Sequence, residues 1–136
     1  MYNEDLYTYA EKKNITVDIM KIPKSKSFSV RMFGKDFIAI DEKAMENSSE
    51  ERAHLAHELG HCETGAFYSI GASLTQREKA EERATRWAVK KLIPKWEFKE
   101  LIEKGCQKWD LAEYYNVTED FIKTAYHLYF EVEMSA

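Results

Sequence analysis

The stretch His57-Glu58-Leu59-Gly60-His61 decides how the rest of the chain is read. Upstream, Ser48 followed by Glu51 has the spacing of a capping box. A helix is therefore expected to open at Ser48 or Ser49 and to run through Ala53, Leu55, Ala56, Leu59 and Gly60. Each helical residue turns by about 100°, so residues four apart lie about 40° apart around the axis. His57 and His61 then project the same way from adjacent turns. Two imidazoles so placed can bind one Zn²⁺ at about 2.0–2.1 Å each. Glu58 falls at the edge of that face, where it can reach a water on the metal without binding the metal itself, the arrangement of a metalloprotease general base. Residue frequencies alone give a chance match of about 1 in 100, so the pattern needs a context.

Part of that context is a third ligand. Thr64 to Leu74 carries Gly65 and Gly71 and reads as a loop, after which Ser73 or Thr75 can cap a second helix. Its apolar stripe is Ala80, Ala84, Trp87, Ala88 and Leu92, and Pro94 stops it. Glu81 lies on that stripe, and a loop of this length lets the second helix fold back on the first. Gly60, Ala84 and Ala88 are small enough to permit close approach. Glu81 can then complete a His₂Glu set with a fourth position left for water. Glu78 shares the face one turn earlier, and Glu82 points about 100° away. The two active-site helices are expected at about 48–62 and 75–92. His54, one turn before His57, reads as a neighbour of the site rather than a ligand, and Cys62 as packing.

The 136 residues suit a single domain spanning 1–136. A net charge of −4 argues against binding nucleic acid through phosphate attraction. The chain contains no run near the roughly 20 apolar residues of a membrane helix, and its acidic N-terminus does not resemble a secretory signal. Two cysteines, Cys62 and Cys106, make no disulfide framework and point to a reducing, cytoplasmic setting.

Residues 2–13 carry an apolar helical face, and Ile15 to Ile22 alternates as a strand would. Phe28 to Ile40 holds two alternating runs around Gly34-Lys35, a β-hairpin pattern. So few strands must lie on helices. The expected fold class is α+β, a small antiparallel sheet packed on a mainly helical body. Three short helices follow, around Phe98–Ile102, from Asp110, and from Thr118.

Leu111-Ala-Glu-Tyr-Tyr-Asn-Val-Thr118 followed by Phe121-Ile122 resembles a helix-turn-helix. It supports a rival reading: a non-catalytic regulatory or DNA-binding protein with a relic or structural metal site. The second helix, however, opens with Thr118-Glu119-Asp120, whose carboxylates would oppose phosphates, so a packed helix pair is expected. Lys90, Lys91 and the lysines at 95, 99 and 104 read as a solvated face.

His57-Glu-Leu-Gly-His61, followed by Glu81-Glu-Arg-Ala84-Thr-Arg-Trp87-Ala88-Val-Lys-Lys-Leu92-Ile-Pro94, resembles the ImmA/IrrE metallopeptidases, above all short members carried by phages and other mobile elements. The similarity extends over roughly residues 25–130, and Thr85 stands where the family has Asn or Asp. The resemblance implies a zincin-like fold. It implies His57, His61 and Glu81 as Zn²⁺ ligands and Glu58 as catalytic base. It also implies a protein substrate, often a helix-turn-helix repressor. Phe37 to Ile40 is the expected strand for holding such a substrate. An oxyanion donor is needed as well, and Tyr68, Tyr126 and His127 are the candidates.

Overall fold

A computed structural model describes residues 2–132 and 134. Helix α1 (Glu4–Lys12) leads into strand β1 (Thr16–Ile19). Strands β2 (Ser27–Met32) and β3 (Lys35–Ile40) follow as the expected hairpin. Its two-residue turn, Phe33-Gly34, has both residues at positive φ (54° and 73°), the twist that closes a tight hairpin. Ser27 pairs with Ile40 and Met32 with Lys35.

The sheet corrects one expectation. It is mixed, not purely antiparallel: β1 lies parallel to β3, with Thr16 opposite Phe37 and Ile19 opposite Ile40. The order β1-β3-β2 places β3 in the centre and β2 at an edge. Alternating side chains mark a strand but not its direction, because both pairings share the same period of two. The β2–β3 hairpin leaves the far side of β3 open, and β1 takes it.

Helix α2 (Ser48–Thr64) runs beneath the sheet and is sandwiched by α3 (Leu74–Leu92). Its cap is Asn47, one residue before the expected start, and the Asn47 side chain accepts from the Glu50 amide at 2.9 Å. Ser48 instead faces Asn116. Gly65 ends the helix in the left-handed conformation (φ 68°). Ser73 caps α3 with a complete capping box to Gln76.

A Cβ on Gly60 would overlap the Ala84 carbonyl oxygen. The two helices therefore touch backbone to backbone at the point expected from their small residues. Leu55 and Leu59 of α2 meet Ile38 and Ile40 of β3, Val89 of α3 and Leu6 of α1 in one core.

Helices α4 (Lys95–Glu103), α5 (Lys108–Tyr115) and α6 (Glu119–Tyr126) and a π-helical turn (His127–Glu131) close the far side. The helix-turn-helix-like pair is a packed pair. Leu111, Ala112 and Tyr115 of α5 and Ile122 and Ala125 of α6 enter the core, and at the surface Lys108 of α5 and Glu119 of α6 approach to 3.5 Å. Among the described residues no helix is long and apolar enough to cross a membrane.

Candidate metal centre

Helix α2 carries the site beside its core residues Leu55 and Leu59: Glu58 and His61, although polar, are almost inaccessible to solvent. His57 and His61 project from adjacent turns, with ring centroids 4.8 Å apart and planes at 90°. Glu81 arrives from α3 and places its two carboxylate oxygens against them. Its Oε1 is 3.1 Å from His57 Nε2, and its Oε2 is 2.6 Å from His61 Nε2. One ligand atom from each of the three lies within 4.8 Å of the others, so the triad can hold a metal ion. Of the rival carboxylates, Glu82 turns away to Arg86 at 2.9 Å, and Glu78 is outside the triad.

The donors also fit a cation by their protonation. His61 Nδ1 donates to the Ala66 carbonyl at 2.6 Å, which leaves Nε2 with its lone pair facing the Glu81 carboxylate. Thr85 Oγ1 lies 3.2 Å from His57 Nδ1, so the residue that departs from the family pattern still reaches the ring it should orient. Lone pairs converging at such distances repel unless a proton or a metal ion sits among them. The histidine hydrogen bonds hold the Glu81 carboxyl down at about 2, against the opposing effect of burial. Burial disfavours the His61 imidazolium, but Glu81 and the Ala66 carbonyl prevail and raise it above its ordinary value.

Glu58 lies beside the triad without joining it. Both its oxygens are held by β2: Ser27 Oγ donates to Oε2 at 2.8 Å and Ser29 Oγ to Oε1 at 2.7 Å. Neither serine is marked by the sequence motifs. Their alternation on β2 places both on the face toward α2, a signal visible only once the strand lies over that helix. His54, the expected neighbour, contacts Ser27 with its Nδ1 at 2.9 Å.

A cavity of about 230 Å³ opens over these groups, lined by Ser27, Phe28, Ser29, Glu58, His61, Phe67, Tyr68 and Glu81. Of the three oxyanion candidates only Tyr68 reaches it. Tyr126 lines a separate groove with Phe98 and Ile122, and His127 pairs with Glu131 at 2.8 Å. The strand expected to hold substrate is also displaced: Phe37–Ile40 is central and paired on both sides, and the free edge beside the cavity is β2. Cys62 is buried as expected, and burial pushes its thiol up to about 12.

Comparison with known families agrees with this arrangement. The family model of Peptidase_M78, the IrrE N-terminal-like domain, matches residues 10–126. The chain therefore belongs to that family of metallopeptidase-type domains, and its α+β fold and His57–His61–Glu81 cluster are consistent with membership. No curated protein and no solved structure matches the chain.

Proposed function

We propose that the chain is a zinc-dependent endopeptidase of the HExxH type with Glu81 as third ligand, and that its substrate is a regulatory protein. The convergence of His57, His61 and Glu81 beneath an open cavity, with Glu58 alongside, carries this reading. Two imidazole nitrogens and one carboxylate are the donor set of a catalytic zinc site with an open position. Zn²⁺ held there supplies a Lewis acid that lowers the pKa of a coordinated water towards about 7.

The chain's own residues do the rest. Glu58 accepts a proton from the attacking water and delivers it to the leaving nitrogen. Burial keeps that carboxylate out of bulk solvent. Tyr68 lines the cavity, which supports it as the donor to the carbonyl oxygen as negative charge develops there. The free edge of β2 offers main-chain hydrogen bonds to an extended peptide, which suits a protein substrate. A helix-turn-helix repressor is the substrate class that the family relationship favours.

The test is cleavage of a repressor encoded beside this chain's gene by the zinc-loaded protein. Discrete fragments with the wild-type chain and an intact repressor with Glu58→Gln, at equal zinc content, are expected. Cleavage retained by Glu58→Gln, or no cleavage by the fully loaded wild type, would contradict the proposal.

A further inference from the structure

The environment of Glu58 points to a function for residues outside the motif. As a carboxylate, Glu58 can only accept hydrogen bonds. Ser27 and Ser29, two apart on β2 and on one face of the strand, each give it a hydroxyl, at 2.8 and 2.7 Å. Each oxygen of the carboxylate thus has its own donor, and the plane of the group is fixed. Ser27 has a single hydroxyl proton, and it is engaged in the hydrogen bond to Glu58. The contact between Ser27 Oγ and His54 Nδ1 at 2.9 Å is then a bond in which His54 donates. His54 in turn sits on α2 one turn before His57. The result is a chain, His54 to Ser27 to Glu58, closed at its other end by Ser29.

We propose that Ser27, Ser29 and His54 are positioning residues that aim the Glu58 carboxylate. The inference rests on the peptidase reading. Because β2 is also the edge open to substrate, a peptide docked along it and the base are registered to the same strand. A base must lie within hydrogen-bond reach of the proton it takes, and small misplacement is costly. Removing the hydroxyls leaves Glu58 on its helix but free to rotate. The effect belongs in kcat, with substrate binding and metal binding intact.

The experiment compares Ser27→Ala, Ser29→Ala and the double variant with Ser29→Thr, which keeps a hydroxyl on a strand that tolerates β-branching. Each single Ala variant should lower kcat by about 10-fold and the pair by about 100-fold, losses no larger than the roughly 10²–10⁴-fold that general-base catalysis supplies. KM, zinc content and melting temperature should hold, and Ser29→Thr should recover most of the rate. His54→Ala, which leaves Ser27 without its donor, should fall between wild type and Ser27→Ala.

Infrared difference spectra of the metal-free protein provide a readout without activity. Wild type minus Glu58→Gln isolates the Glu58 carboxylate stretch, and Ser27→Ala/Ser29→Ala should shift that band. An unshifted band, or wild-type kcat in the double variant, would overturn the inference. A fall in kcat matched by loss of zinc or by unfolding would overturn it too, because the serines would then be structural. An inactive but fully zinc-loaded wild type would instead overturn the peptidase reading, with the infrared band still deciding whether the serines hold Glu58.

Discussion

At the scale of the residue, the site divides into groups fixed by their own helix and groups supplied by others. His57 and His61 share a face because of helical geometry alone, and Glu58 follows from its place between them. Tyr68 depends on the loop between α2 and α3, which is braced from several sides. The Ala66 carbonyl accepts from His61, and the Ile70 carbonyl accepts from Arg77 at 3.0 Å. The Arg31 guanidinium lies 4.9 Å from the Phe67 ring. Tyr68→Phe removes only the hydroxyl. It should lower kcat by about 10²–10³-fold, the usual cost of one oxyanion donor, while leaving zinc content unchanged. Wild-type kcat in that variant would remove Tyr68 from the mechanism.

Cys62 gives a pH prediction. Folding raises its thiol from an ordinary value near 9 to about 12, so the buried group favours the neutral form. Its contribution to stability is complete below the unfolded value and is lost as pH rises through about 9 to 12. Denaturant melts of wild type and Cys62→Ala should therefore converge across that alkaline window. At pH 8 Cys62 should also react with thiol reagents far more slowly than Cys106. Equal labelling of the two would contradict the burial.

At the scale of the element, the contact between α2 and α3 controls whether the triad exists. Gly60 faces the Ala84 backbone with no room for a methyl group. Gly60→Ala gains about 1 kcal/mol in helix propensity but must push the helices apart. Overpacking of this kind costs about 1–3 kcal/mol, and here the yielding atom is backbone, so the net effect is destabilising. The same shift draws Glu81 away from His57 and His61. Thermal melts and zinc titration should show a lower melting temperature together with weaker zinc binding. A variant as stable and as tight-binding as wild type would refute the close approach.

Helices were legible in the sequence because caps, stripes and the Pro94 stop are local signals. Ser73 was among the candidate caps for α3, whereas for α2 Asn47 took the role expected of Ser48, since a neighbouring side chain of similar chemistry lay one position earlier. The pairing of β1 was not legible. Direction and neighbour are set by which edge of β3 remains open, and that is a property of the assembled sheet. The same reason moved the free edge from β3 to β2. Ser27 and Ser29 have no signature in the sequence, because two serines in a strand mark nothing until the strand lies over Glu58.

At the scale of the whole molecule, the His57–His61–Glu81 cluster joins α2 to α3, and Glu58 beside it joins α2 to the sheet. A ligand that binds only the folded state stabilises it by mass action. Zinc at 100 times its dissociation constant should add about 2.7 kcal/mol, seen as a rise in melting temperature. A chelator should reverse that rise, and fresh zinc should restore it. Magnesium should not substitute, because imidazole nitrogens are poor ligands for a hard oxygen-seeking ion. A melting temperature indifferent to zinc and chelator alike would argue against a resident ion.

The most direct measurement is the zinc content of purified wild type and of His57→Ala, His61→Ala and Glu81→Ala after exhaustive exchange into metal-free buffer. If the three side chains grip one ion, wild type retains about one equivalent and each variant falls below about 0.2. Zinc retained at about one equivalent after loss of any of the three, or less than about 0.2 equivalents in the wild type itself, would contradict the shared site.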